Sequence, residues 1–316
     1  MPLCRSYAAL LALALTALAP ASSHAASTGG VTVPGMPSVP AVQTGTGVDA
    51  GGSVAGEDRS GTEKPATDRR SSLGIGSFSL NGARFYEHGR ALRVTFDMTG
   101  RGTAKVKLAF VQGGKRVKLV DLGDRAAGSR HSVSVPVDGL NGSVEVRISG
   151  RDSRGRALKS GTQAASSRAI DVRSHRFPVV GAHTFGGEGS RFGSGRDGGS
   201  RKHQGQDVSA ALGTPLVAAR GGTVRFTGNQ PSGAGIYVVI HGAGESQDYV
   251  YMHLQEGSLT LKQGDSVRTG AVIGRVGLTG STSGAHLHFE VWQGVWQGGG
   301  SPIDPLPLLQ RWDAWS

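Results

Sequence analysis

Alternation of apolar and polar residues is the strongest pattern in the first half of the chain. In residues 90–98, RALRVTFDM, the apolar Leu92, Val94, Phe96 and Met98 occupy every second position, the period of a strand with one buried face. The same period returns at 104–111, 115–122, 132–137 and 143–149, separated by turn signals such as Gly113-Gly114 and Asn141-Gly142. Short strands at this spacing predict a β-sandwich with an immunoglobulin-like architecture over residues 74–175. After a glycine-rich stretch ending near Ser200, a second series of strands is predicted at 215–219, 222–227, 236–241, 248–253 and 271–276, and again at 283–291. Helical periodicity is almost absent. The expected fold class is mostly β: an N-terminal sandwich followed by a C-terminal antiparallel sheet domain over 176–316.

The N-terminus reads differently. Arg5 precedes an apolar run over 7–18, too short to span a bilayer, and Pro20 and Ser23-His24-Ala25 follow. This is the layout of a secretory signal peptide over residues 1–25, cleaved after Ala25 or Ala26, with an uncleaved anchor as the alternative. Residues 26–73 are rich in Gly, Ser, Thr and Pro and predict a disordered tether. The expected location is the cell envelope or the exterior, with no stable membrane insertion once the signal is removed. The single cysteine, Cys4, would leave with it, so disulfides and thiol nucleophiles drop out and chemistry falls to His, Asp, Glu, Ser, Tyr or a metal.

Charge adds a partner class. The formal net charge is +11, with 22 Lys and Arg against 10 Asp and Glu in residues 75–201 but 7 against 8 in 202–316. A basic sandwich suits an anionic wall polymer or an acidic membrane surface, and equally an ordinary solvated face. Aromatics make up 6% of the chain and no nucleic-acid motif appears, which argues against nucleic acid.

Candidate chemistry begins at 283–291, SGAHLHFEV. In an extended strand His286, His288 and Glu290 share one face and Leu287, Phe289 and Val291 the other, with the imidazoles about 6–7 Å apart. Chance alone produces such a pair. His203 and Asp207, four residues apart around Gly205, supply partners: with His288 they give two imidazoles and a carboxylate, the donor count of a catalytic zinc site whose fourth position is left to water.

HQGQD at 203–207, YMHL at 251–254 and GAHLHFE at 284–290 resemble, in order and spacing, the three motifs of the lysostaphin and LytM-type zinc metallopeptidases. The glycine-rich 267–284 is also similar, and the resemblance covers about 176–307. It implies one Zn2+ per chain held by His203, Asp207 and His288, with His253 and His286 as catalytic histidines whose roles the sequence does not divide. It further implies an endopeptidase acting on peptide cross-links of bacterial peptidoglycan, glycine-glycine or D-alanine-linked. The alternative is a non-catalytic wall-binding or regulatory protein on the same fold, against which stands the presence of all five residues. Glu290 is read as either a solvated carboxylate or an acceptor orienting an imidazole. Tyr251, two residues before His253, is expected to line the cleft. His175 and His183 are expected in exposed linker positions, with a place at the cleft as the alternative for His183, and Trp292 and Trp296 suit packing or sugar stacking.

Overall fold

The structure is a computed structural model that describes residues 71–160 and 166–316. The signal and most of the tether expected from sequence lie outside the described residues. Among the described residues no helix is long and apolar enough to cross a membrane.

Among the described residues the first half forms nine strands: β1 (Gly74–Leu80), β2 (Arg84–Tyr86), β3 (Leu92–Thr99), β4 (Thr103–Gln112), β5 (Lys115–Ala126), β6 (Arg130–Val135), β7 (Gly142–Asp152), β8 (Lys159–Ser160) and β9 (Ser167–Arg173), of which β3 to β7 correspond to the five alternating stretches. They make a four-stranded sheet, β6-β3-β1-β8, and a five-stranded sheet, β2-β9-β7-β4-β5. One core joins them. Leu92, Val94, Phe96 and Met98 of β3 pack in a cluster with Val106, Leu108 and Phe110 of β4 and Val144, Val146 and Ile148 of β7. Burying each such side chain contributes roughly 1.5–3 kcal/mol, so the alternation fixes which face of each strand turns inward. Leu73 already belongs to this core and Ser71 is fully buried, its hydroxyl accepting from Leu73 N. Ser71 and Leu73, at the end of the expected tether, thus already pack with the first folded unit.

A second core begins at Phe177. Its strands are β10 (His183–Thr184), β11 (Gly195–Arg196), β12 (Arg201–Lys202), β13 (Gln206–Ala210), β14 (Pro215–Val217), β15 (Gly222–Gln230), β16 (Gly235–Gly242), β17 (Gln247–Leu254), β18 (Ser266–Val267), β19 (Val272–Arg275), β20 (His286–Gln293) and β21 (Ser301–Ile303). The main sheet is antiparallel in the order β10-β13-β20-β17-β16-β15-β18, with β21 on β20. Leu287, Phe289 and Val291 of β20 pack with Tyr249 and Tyr251 of β17 on one face. On the other, Val250 and Met252 meet Trp292 and Trp296. The middle strands are thus covered on both sides, while the two-residue β11 and β12 form a separate hairpin within the glycine-rich stretch.

One helix, α1 (Leu306–Asp313), closes the second core with Leu309 and Trp312. Trp312 stacks on His175 at 4.6 Å between ring centroids, and the His175 side chain, 13% exposed, also bonds the Tyr249 hydroxyl. His183 packs on Phe177 and reaches Asp313 at 3.3 Å. Neither histidine is the exposed linker residue expected: both are fastened by α1, whose eight residues are too few to show a period in the sequence.

Candidate metal centre

Pairing of β13 with β20 sets Asp207 directly across from His288. His203 enters from the loop before β13, and Gly205 lets that loop close down. A Cβ at 205 would collide with the Phe289 carbonyl and stand 2.8 Å from His288 Nε2. No other residue type fits between the two ligand candidates. The result is three atoms in mutual contact: His203 Nε2 is 3.1 Å from Asp207 Oδ1 and 2.9 Å from His288 Nδ1, and His288 Nδ1 is 2.9 Å from Asp207 Oδ1.

Each of these residues is held from behind. His203 Nδ1 lies 2.8 Å from the Arg191 carbonyl, which can only accept, so the proton sits on Nδ1 and Nε2 carries a lone pair. His288 Nε2 donates to Glu290 Oε1 at 2.9 Å, leaving the lone pair on Nδ1. Asp207 Oδ2 accepts from Arg196 at 3.0 Å, leaving Oδ1 free. Three lone pairs therefore converge in a buried pocket with no donor between them, an arrangement that calls for a cation. Ligand atoms on a tetrahedral zinc with bonds of about 2.0–2.1 Å stand about 3.4 Å apart, within about 0.5 Å of the separations found. His203, Asp207 and His288 fit zinc by chemistry and by spacing.

Without an ion, positive charge is favoured on His288. Burial lowers the pKa of His288, but the Asp207 and Glu290 carboxylates outweigh it and raise the group to about 9. Burial likewise opposes ionisation of Asp207, yet His203 and His288 hold its carboxyl far below the usual range.

Glu290 is buried, and its second oxygen accepts from both Trp292 Nε1 at 2.7 Å and Trp296 Nε1 at 3.0 Å. Of the two readings open in the sequence, the acceptor orienting an imidazole is the one observed. Both tryptophans are buried in this contact.

His253 and His286 flank the trio, their ring centroids 4.8 Å apart. His286 Nε2 is 3.5 Å from Asp207 Oδ1, and His286 Nδ1 donates to the Gly284 carbonyl at 2.9 Å. His253 Nδ1 donates to the Thr279 carbonyl at 2.8 Å. Burial, followed by the fields of His286 and His288, pulls His253 down to about 4, so it is neutral at pH 7.

His253 reaches this face through an irregularity. Ile236 pairs with Leu254 but Val238 with Tyr251, so one residue of β16 faces two of β17, Met252 and His253. This is a β-bulge, and His253 sits in it with φ of 62°. The left-handed conformation costs a non-glycine residue roughly 1–2 kcal/mol. Tyr251, before the bulge, faces the opposite way: it is fully buried in the second core and accepts a hydrogen bond from Ala219 N. Strict alternation, which put Tyr251 in the cleft with His253, fails at this bulge. Sequence reasoning also missed Arg196 and the Arg191 carbonyl, which bear on the site only through the fold of the glycine-rich loop.

Part of the chain matches known proteins. Residues 201–305 match Peptidase family M23. An uncharacterized metalloprotease of Haemophilus influenzae is 42% identical over 90 residues, 28% of this chain and 18% of that protein. The lipoprotein NlpD/LppB homolog of Pseudomonas aeruginosa is 34% identical over 134 residues, 42% of each chain. The peptidoglycan DD-endopeptidase ShyA of Vibrio cholerae is 39% identical over 89 residues, 28% of this chain and 20% of that one. The chain thus spans less than half the length of these relatives. Among solved structures, the catalytic domain of lysostaphin from Staphylococcus simulans is 28% identical with a TM-score of 0.35, covering 41% of this chain and 92% of that one. His203, Asp207, His253, His286 and His288 all fall inside the matched stretch, and residues 201–305 form a domain of peptidase family M23.

Proposed function

We propose that this chain is an exported zinc-dependent endopeptidase that hydrolyses peptide cross-links of bacterial peptidoglycan. The observation that carries this reading is the convergence of three lone pairs, on His203, Asp207 and His288, beside two imidazoles that are each held through Nδ1 by a backbone carbonyl. A zinc ion held by the trio would supply Lewis acidity at the scissile carbonyl. The remaining work falls to the chain. His253 and His286 are each pinned through Nδ1–H to a backbone carbonyl, which leaves Nε2 as the nitrogen able to take a proton from the attacking water or return one to the departing amine. His253, held neutral near pH 7, is suited to accept.

Relatives named as peptidoglycan DD-endopeptidases and as DD-carboxypeptidase/endopeptidases support this substrate class, which makes the D-alanine-linked stem the first bond to assay. Residues 1–25 would direct export, residues 26–73 would tether the enzyme, and the two-sheet unit of 74–175 would be an immunoglobulin-like module whose basic surface holds an anionic wall polymer. The test uses purified protein, zinc and sacculi of several cross-link types. Wild type is expected to release free amines, and His286→Ala to keep about one zinc per chain while release stops. Zinc-loaded wild type that cleaves no cross-link type overturns the reading.

A further inference from the structure

A cleft of about 540 Å³ opens where the two cores meet, lined by Arg84, Tyr86 and Arg90 from the first and by Arg176, Arg268 and Thr269 from the second. None of the candidate metal ligands lines it. Its walls are fastened to each other. Thr269 N donates to the His88 carbonyl at 2.9 Å, Thr269 Oγ1 donates to the Glu87 carbonyl, and Arg220 reaches Glu87 Oε2 at 2.7 Å. The cleft is therefore built before any ligand arrives, and its shape requires both cores.

Four guanidiniums share this space without matching negative charge. Among the described residues no carboxylate pairs with Arg90, Arg176 or Arg268. Arg84 has only Asp171, at 3.9 Å, and that carboxylate is already held by Arg173 at 2.8 Å. Arginines elsewhere in the second core, such as Arg220 and Arg225, reach carboxylates at 2.7 and 2.9 Å. In the cleft, Arg90 lies over the Phe85 ring at 5.3 Å and Arg176 over Tyr86 at 5.8 Å. Ring contacts hold the guanidiniums in place without neutralising them.

We propose that this cleft binds a polyol-phosphate chain, a polymer whose successive phosphodiesters are met by several arginines at once. The inference rests on the anionic-partner reading above and narrows it from the sandwich face to the cleft. A single carboxylate would answer one of four charges. A run of phosphodiesters answers several, each oxygen pair matching the guanidinium fork. Among the described residues Tyr86 is the only aromatic side chain on the lining, which offers no ladder of rings on which nucleobases could stack.

The test measures binding of a labelled glycerol-phosphate oligomer to the full zinc-loaded chain by fluorescence anisotropy at two salt concentrations. Arg90→Gln with Arg268→Gln is expected to weaken binding at least about tenfold and to flatten its salt dependence, because each lost contact releases fewer counterions. Lys105→Gln with Lys115→Gln removes the same charge from exposed positions on β4 and β5, and is expected to change binding less than about twofold. Should the double cleft variant unfold, Arg268→Gln alone, at an exposed turn, is expected to give about threefold. Equal losses from cleft and control pairs overturn the cleft while sparing the anionic-partner reading, and absence of binding by wild type overturns both. Poly-glutamate or oligothymidylate bound as tightly as the glycerol-phosphate chain overturns the assignment of ligand.

Discussion

Replacing Glu290 by glutamine tests the support of the candidate metal site with almost no change of volume. Glu290 uses both oxygens: Oε1 takes the His288 Nε2 proton at 2.9 Å, and Oε2 takes two indole protons at 2.7 and 3.0 Å. Glutamine offers one oxygen. If that oxygen faces His288, the amide NH2 points at two indole N–H groups, leaving buried donors unpaired at about 1–3 kcal/mol each. Turning it toward the indoles is cheaper, but NH2 then faces Nε2. His288 must move its proton to Nδ1, the atom aimed at the metal. Glu290→Gln is therefore expected to fold and to lose zinc affinity about 10–100-fold, equivalent to about 1.4–2.7 kcal/mol. Competition against a chromogenic chelator at pH 7 reads the affinity directly, and urea unfolding of the metal-free protein reads the fold separately. A folded Glu290→Gln protein binding zinc within about twofold of wild type would refute the account of the His288 tautomer.

Two further outcomes follow from particular backbones and charges. At His253, with φ of 62°, His253→Gly and His253→Ala should both lack activity, yet the glycine variant should be more stable by about 1 kcal/mol because only alanine pays for the left-handed region. Equal urea midpoints, or a more stable alanine variant, contradict the strain assigned to the bulge. At Asp152, burial opposes ionisation, but Ser71, Arg156 and the backbone N–H of Arg154 outweigh it and lower the carboxyl from 3.8 to about 2. A pKa depressed by folding gives stability that is complete above the unfolded value and is lost as pH falls through the folded one. Asp152→Asn should therefore be less stable than wild type at pH 5–7 and decline less between pH 4 and 2. Parallel curves of unfolding midpoint against pH for the two proteins would contradict this.

What could be read from the sequence was whatever the chain writes locally. Leu92, Val94, Phe96 and Met98 show their buried face by position alone, because strand geometry repeats every two residues. His203, Asp207 and His288 stood out through spacing and neighbours, and the structure brings their ligating atoms together. Features made by an exception to local rules were hidden. One extra residue in β17 turns His253 toward the site and leaves Tyr251 in the core, and nothing in YMHL marks the insertion. Contacts made by folding distant segments together were hidden too. Arg196 finds Asp207 across 11 positions, His175 finds Trp312 across far more, and Glu87 meets Arg220 between the cores. None of these pairs leaves a period or a motif.

The glycine-rich segment before β13 touches the candidate metal site through the Arg191 carbonyl and the Arg196 guanidinium. Its placement and the occupancy of the site are therefore two equilibria written on the same atoms. Linkage between such equilibria is reciprocal: whatever factor separates the zinc affinity of the protein with this segment in place from that with it lifted away, zinc must return the same factor in holding the segment down. A peptide that had to displace the segment to enter would loosen the ion it needs, whereas one that slid beneath it would tighten the ion. The stretch with the least regular structure near the site is thus the one through which a substrate could report its arrival to the metal.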